Sequence, residues 1–94
     1  MHELRDNYYY KYISTATTTD VSSVAGSLVQ IVVTETAVGT ITIYDASVGN
    51  TTATVGVMKA SIVEGTYDFS CRVANGIQIV TAGASKLTVI YSKS

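Results

Sequence analysis

The chain has 94 residues and a mass of 9.9 kDa, with a formal net charge of -1 and only 14% charged side chains. A chain of this length forms one domain with a modest core, which buries roughly 60 to 65% of the surface that the unfolded chain exposes. The small net charge provides no basic field for phosphates, so we expect no nucleic-acid partner. The single cysteine, Cys71, excludes an intrachain disulfide and a cysteine-only metal site.

No segment of the sequence has the features of a secretory signal or a membrane span. The opening residues, MHELRDN, lack the apolar stretch that a signal needs after its basic end. The longest apolar region, residues 21–38, is interrupted by Gln30, Thr34 and Glu35, so it cannot cross a bilayer. We therefore expect a soluble protein that is made in the cytoplasm of a cell and has no membrane partner.

The N-terminal segment combines a charged stretch with an aromatic one. Residues 1–7 include His2 and several charged side chains without periodicity, as in a tail. Residues 8–13, YYYKYI, have high strand propensity and form either a first strand or an extended arm. We predict an N-terminal arm over residues 1–12, partly disordered or bound to a partner, and a single β-sandwich domain over residues 13–94.

A long apolar strand is predicted over residues 26–34. Its apolar side chains fall on both faces, with Leu28 and Val32 on one face and Val29, Ile31 and Val33 on the other. A strand that is apolar on both faces is typical of a central, buried position in a sheet.

The middle of the chain predicts two strands separated by a loop. Residues 40–45 place Ile41 and Ile43 on one face, while the face that carries Tyr44 is more polar. Residues 46–52 are small and polar and predict a loop. Residues 53–60 form the next strand, with Val55 and Val57 on one face.

The last third of the chain predicts three strands. In residues 66–73 the inward side chains are Tyr67, Phe69, Cys71 and Val73. Asn75-Gly76 predicts a two-residue hairpin turn to residues 76–81, because such a turn needs positive φ at both positions. In residues 86–92 the inward side chains are Leu87, Val89 and Tyr91.

Together these patterns predict an all-β protein. We count seven or eight strands, spaced by about 8 to 12 residues, which is typical of a small antiparallel β-sandwich (jelly-roll or Ig-like) or a small barrel. The chain contains no proline. Its edge strands therefore lack one common device that prevents pairing with another chain.

The sequence offers little for catalysis or metal binding. A nucleophile needs an adjacent base, and the sole histidine is His2 in the predicted tail. Cys71 shares the register of core residues, and Arg72 points to the opposite face. The carboxylates that could in principle meet at a calcium or catalytic site lack ligand-loop spacing; they are Asp20, Asp45, Glu64 and Asp68. We expect a non-enzymatic protein without catalytic residues, cofactor or metal.

The tyrosines are the best candidates for a binding site. Tyr8, Tyr10 and Tyr12 fall on one strand face. They either pack at the edge of the sandwich or anchor an interface, since tyrosine gives a large contact area at low entropic cost. With Lys11 nearby, we predict that these four residues contact a partner.

From residue 8 to residue 91 the sequence resembles small virion proteins of tailed bacteriophages. The strings that carry the resemblance are YKYIS (10–14), GTITIYD (39–45) and NGIQIVTAGASKLTVIY (75–91). The resemblance implies a β-sandwich component of the virion, in the first place a capsid decoration (cement) protein on the outer surface of the head. It implies no catalytic residues.

The same resemblance implies partners and alternatives. The expected partners are the major capsid protein or other virion proteins, with a possible homo-oligomer. Similar modules serve in head-tail connectors, tails and fibres, which is the first alternative. A carbohydrate-binding β-sandwich module is the second, with Tyr44 as the side chain that would stack on a sugar.

Overall fold

The computed structural model describes residues 8–47 and 50–93 of the chain. Within them the chain forms eight strands and no helix, which confirms the all-β prediction. The strands are β1 (Tyr8–Ile13), β2 (Thr18–Ser22), β3 (Gly26–Glu35), β4 (Ile41–Ser47), β5 (Asn50–Met58), β6 (Gly65–Val73), β7 (Ile77–Thr81) and β8 (Lys86–Lys93).

The strands form two antiparallel sheets of four strands each. The order in the first sheet is β1-β8-β3-β6 and the order in the second sheet is β2-β7-β4-β5. The first strand pairs with the last, the second with the seventh, the third with the sixth and the fourth with the fifth. The first half of the chain thus pairs antiparallel with the second half, strand by strand. Within each sheet, one further pair joins two of these strand pairs side by side: β3–β8 in the first sheet and β4–β7 in the second.

One hydrophobic core joins the two sheets. The first sheet contributes Ile13, Leu28, Ile31, Val33, Val73, Leu87, Val89 and Tyr91, and the second contributes Val21, Ile41, Ile43, Met58, Ile77 and Ile79. Along most strands these side chains alternate with more exposed neighbours, as expected where a sheet buries only one face, whereas in β2 and β7 the neighbours Ser22 and Gln78 are buried as well. The alternation predicted for β6 and β8 is confirmed, and so is a sandwich-like arrangement of two antiparallel sheets.

The predicted faces of β3 are wrong because the strand contains a bulge. Leu28 is fully buried together with Ile31 and Val33, whereas Val32 is only half-buried. The register against β8 shifts between Leu28 and Gln30, so one extra residue lies on β3. An extra residue reverses the faces of everything that follows it. The strand is central in its sheet, as predicted, but its outer face is not fully buried.

The predicted bounds and faces of β5 are also wrong. The strand begins at Asn50 and ends at Met58, so it includes much of the predicted loop 46–52. Its register against β4 shifts near Val55, where Gly56 lies opposite Ile43 and Thr54 lies opposite Tyr44. Because of that shift, Val57 turns outward and is 60% exposed while Met58 is buried.

Asn75-Gly76 does not form a hairpin turn, since the strands on either side belong to different sheets. The segment crosses from the first sheet to the second, and Asn75 keeps a negative φ. Gly76 has a φ of +150°, and a Cβ added there would lie 2.7 Å from the Ala46 carbonyl oxygen and still closer to that of Ser22. Glycine is therefore needed here for close packing of the crossing segment.

The aromatic segment at the N-terminus is a strand of the sandwich. Tyr8–Ile13 forms β1, and all six of its residues pair with β8 without a register shift. Residues 8–12, which the sequence-based division placed in an arm, thus belong to the first sheet. The rest of the predicted arm, residues 1–7, lies outside the described residues.

We expect Gly76→Ala to lower the free energy of unfolding by about 3 kcal/mol or more, because it adds a backbone clash to an unfavourable φ. Gly65→Ala is the matched control. Gly65 has a φ of +153° and nothing within 4 Å of an added Cβ, so it reports the φ strain alone, about 1 to 2 kcal/mol. Urea denaturation followed by circular dichroism measures both. Equal losses in the two variants would contradict the close packing described for Gly76.

Candidate interaction surface

The three predicted tyrosines share the outer face of the first sheet. Ile13 is 3% exposed and belongs to the core. Because side chains alternate along a strand, Tyr8, Tyr10 and Tyr12 lie on the side of β1 that faces away from the core. They are 50%, 75% and 51% exposed, respectively.

Neighbouring strands extend this surface with uncharged side chains. Tyr10 lies opposite Ile90, and Tyr12 lies opposite Thr88, which in turn lies opposite Val32 of β3. Ile90, Thr88 and Val32 are all half-buried. We call the following six residues the tyrosine face: Tyr8, Tyr10, Tyr12, Val32, Thr88 and Ile90. The sequence did not predict the last three, because their place beside the tyrosines depends on strand order.

The opposite side of β1 contacts the rest of the domain only in part, since Tyr9 on that side is 44% exposed. The ring of Tyr9 stacks on that of Tyr91, with ring centroids 5.7 Å apart and planes at 29°. The Nζ atom of Lys93 lies 4.7 Å from the centroid of the Tyr9 ring, a favourable cation–π contact. Lys11 shares this side of the strand, so the structure does not bring it onto the tyrosine face.

Charged side chains lie at the ends of β3 and β8. Glu35 and Lys86 form an ion pair with an N–O distance of 2.8 Å, and both remain substantially exposed. The hydrogen bond that Lys86 donates to Glu35, and then the negative charge of Glu35, raise the pKa of Lys86. Such an arrangement, with aromatic and apolar residues at the centre and charges towards the rim, is typical of protein interfaces.

Cys71 packs against the core from β6. It is half-buried, and Tyr67 and Phe69 of the same strand lie beside the core with it. Burial raises the pKa of the Cys71 thiol, and the charge of Asp45 raises it further. A raised pKa keeps the sulfur protonated at neutral pH, which is the opposite of what a nucleophilic cysteine requires.

Of the four carboxylates considered for metal binding, Asp20, Asp45 and Glu64 bind separate partners within the protein. Gln78 donates to Asp20 at 2.8 Å, and the backbone N–H of Thr36 donates to Glu64 at 3.2 Å. Asp68 lies on the exposed side of β6. In the described ranges, 8–47 and 50–93, no three histidine, cysteine, aspartate or glutamate side chains are close enough to share a metal ion. His2 lies outside those ranges.

Asp45 holds the segment that crosses between the sheets. Its two carboxylate oxygens accept hydrogen bonds from the backbone N–H groups of Ala74, at 3.0 Å, and Asn75, at 2.8 Å. These bonds favour the ionised form and lower the pKa of Asp45. This role could not be predicted from local sequence, because Asp45 and its partners are about 30 residues apart.

The aromatic residue considered for sugar stacking is less accessible than those of β1. Tyr44 lies on β4, an internal strand of the second sheet, and is half-buried between Gln78 and Thr54. A groove of about 320 Å³ lies at another place on the domain, lined by Asp20, Val21, Ser22, Ser23, Val24 and Lys93. It contains no aromatic side chain on which a sugar could stack.

Comparison with known proteins does not extend these observations. No protein-family model matches the sequence, and no curated protein shows significant similarity to it. Nowhere in the described part of the chain is there a helix of the length and apolar character needed to cross a membrane.

We expect Asp45→Asn to lower the free energy of unfolding by about 1 kcal/mol at pH 7, a modest loss because the carboxylate is partly solvated. Because the pKa of Asp45 is lower in the folded state, its ionised carboxylate stabilises the protein at pH values above the ordinary pKa of about 4. This stabilisation is lost as the pH falls through the pKa of the folded state. The difference between the two proteins should therefore shrink at pH 3. Urea denaturation at both pH values measures it.

Asp68→Asn provides the control for this experiment, since it removes the same charge from the exposed side of β6. It should change stability by less than about 0.5 kcal/mol at either pH. An Asp45→Asn deficit that is as large at pH 3 as at pH 7 would show that the carboxylate charge does not hold the crossing segment.

Proposed function

We propose that this protein is a non-enzymatic structural component of a bacteriophage particle, a decoration (cement) protein that binds the outer surface of the head through the tyrosine face. The observation that carries the proposal is the exposure of Tyr8, Tyr10 and Tyr12 side by side on the outer face of a sheet. The resemblance of the sequence to small virion proteins supplies the class of particle.

The physical properties of the tyrosine face suit a protein partner. Tyr10 is 75% exposed, which is unusual for a large aromatic side chain in a folded domain. Each tyrosine offers a flat apolar surface and a hydroxyl that can bond to the partner, and only two side-chain torsions are fixed on binding. Because β1 pairs with β8 along its whole length, the backbone beneath these side chains is ordered before binding, which lowers the entropic cost of association.

The strand order supports a virion role by analogy. We infer that the two sheets, β1-β8-β3-β6 and β2-β7-β4-β5, form a jelly roll rather than an Ig-like sandwich. An Ig-like domain divides seven to nine strands between its sheets in a different order. Jelly rolls occur in viral capsid domains and also in lectins. A fold shared by several functions raises the expectation of a virion role without assigning one.

Binding would stabilise the head by mass action. A protein that binds the assembled lattice and not its separated subunits shifts the equilibrium towards the lattice. Contacts that bridge neighbouring capsid subunits, repeated over the whole surface, would add up to a large effect.

We expect the triple variant Tyr8→Thr, Tyr10→Thr and Tyr12→Thr to lose at least tenfold in affinity for particles from which the native protein has been removed. Threonine keeps the strand propensity of β1, so the loss reports the removed aromatic surface. Co-sedimentation with particles measures the affinity, and circular dichroism confirms that the variant is folded.

The matched control replaces three exposed apolar residues outside the tyrosine face, Val38→Thr, Val57→Thr and Val63→Thr. These valines are 83%, 60% and 72% exposed. Full binding by this control and weak binding by the tyrosine variant is the expected pair of results. Full binding by the folded tyrosine variant would overturn the proposed surface.

The number of copies in purified particles distinguishes decoration from the alternatives. We expect on the order of hundreds of copies by quantitative mass spectrometry, because the symmetry of a head repeats a surface site many times, whereas a connector or tail ring holds roughly a dozen. About a dozen copies would place the protein at the junction or in the tail. Absence from particles together with glycan binding that Tyr44→Ala abolishes would favour the carbohydrate-binding alternative.

A further inference from the structure

We infer that the free edge of β1 is a dimerisation site, at which β1 pairs antiparallel with β1 of a second copy of this chain. In the described residues β1 pairs with β8 on one side and with no strand on the other. Its outward N–H and C=O groups are thus available to another strand. This inference concerns the edge of the sheet and does not rest on the proposed function of its outer face.

Among the four edge strands, β1 is the one best suited to pairing. Edge strands resist pairing when they contain bulges or charges. The registers of β2, β5 and β6 with their neighbours all contain a shift, and β6 also holds Ser70 at a φ of +49°. By contrast, the register of β1 with β8 is continuous over six residues, and Lys11 is its only charged residue.

Symmetry restricts the ways in which two copies can pair. In an antiparallel pair, directly opposite side chains lie on the same face of the sheet. The two-fold axis that relates two identical strands must therefore pass through one residue of β1 and not between two residues. Only then does each tyrosine of the tyrosine face meet an outward residue of the second copy.

The side chains of β1 select the centre. A pair centred on Lys11 would place two positive charges directly opposite each other, which is unfavourable. A pair centred on Tyr9 would align only residues 8–10 of the described strand. A pair centred on Tyr10 aligns residues 8–12 of both copies. We therefore assign the axis to Tyr10.

This register gives favourable partners to every side chain of the pair. On the outer face, Tyr10 meets Tyr10 of the second copy, and each Tyr8 meets a Tyr12, so aromatic pairs follow one another across the axis. On the inner side, Lys11 meets Tyr9 of the second copy. The dimer would have one continuous eight-stranded sheet with six tyrosines, three from each copy, on its outer face.

Sedimentation equilibrium of the full-length protein tests the dimer without any particle. A negative result would therefore contradict the dimer and leave the proposed function untouched. We expect a mass twice that of the 9.9 kDa chain. Tyr10→Lys should weaken dimerisation at least tenfold, because it places two charges opposite each other on the axis. Val57→Lys is the matched control, as Val57 is 60% exposed on another edge strand, and it should remain dimeric. A monomeric wild-type protein, or a Tyr10→Lys protein that remains dimeric, would overturn the inference.

Disulfide trapping with oxidised glutathione tests the register, in a Cys71→Ala background. Directly opposite residues have Cα atoms about 4.5 to 5.5 Å apart, within disulfide range. In the assigned register the two copies of residue 8 are displaced by four residues along the strands, as are the two copies of residue 12, which puts their Cα atoms roughly 13 Å apart. Tyr10→Cys should therefore cross-link alone. Tyr8→Cys and Tyr12→Cys should cross-link when mixed and not separately. Cross-linking of Tyr8→Cys or Tyr12→Cys alone, or none in the mixture, would overturn the assigned register.

Discussion

The pairing of β1 with β8 is the interaction on which the surface chemistry of this protein depends. Six consecutive residues of β1 align with β8 without a bulge, and Ile13, at one end, is buried in the core. Near the other end, Tyr9 stacks on Tyr91. Since these inward contacts fix the rotation of the strand, strand geometry requires the intervening tyrosines to point outward. A slip of one residue would turn these tyrosines to the inner side of the sheet and remove Ile13 from the core.

The order of the strands imposes a second requirement, on the segments that connect the two sheets. Consecutive strands often lie in different sheets, so segments of the chain must cross the ends of the sandwich. The crossing between β6 and β7 shows how this is achieved: Asp45 accepts hydrogen bonds from Ala74 and Asn75, and Gly76 allows the backbone to approach Ser22 and Ala46. The two hydrogen bonds lie at an exposed position, so each contributes about 0.5 to 1.5 kcal/mol at most. The crossing segment thus helps to hold the two sheets, including β1, around their shared core.

Local sequence predicted most of the strands but missed β2, Thr18–Ser22, and it predicted the strand partners poorly. The alternation in β6 and β8 identified their inward residues, because one face of each strand is buried. It failed in β3 and β5, where an extra residue reverses the faces, and a bulge of this kind leaves no mark in a pattern of apolar and polar residues. Asn75-Gly76 misled because glycine serves a close backbone approach as readily as a tight turn. The three outward tyrosines were predictable from β1 alone, whereas Ile90 and Val32 joined them only through strand order, which depends on contacts across the whole chain.

The central claim is that the tyrosine face contacts another protein on a virus particle. The most direct test is hydroxyl-radical footprinting of side chains in the free protein and in intact particles, read residue by residue by mass spectrometry. The account predicts that Tyr10, which is 75% exposed in the isolated chain, loses most of its reactivity in the particle together with Tyr8 and Tyr12, while exposed Val38 and Val63 keep theirs. If Tyr10 and its two neighbours reacted in particles as they do in the free protein, the tyrosine face would not be the binding surface.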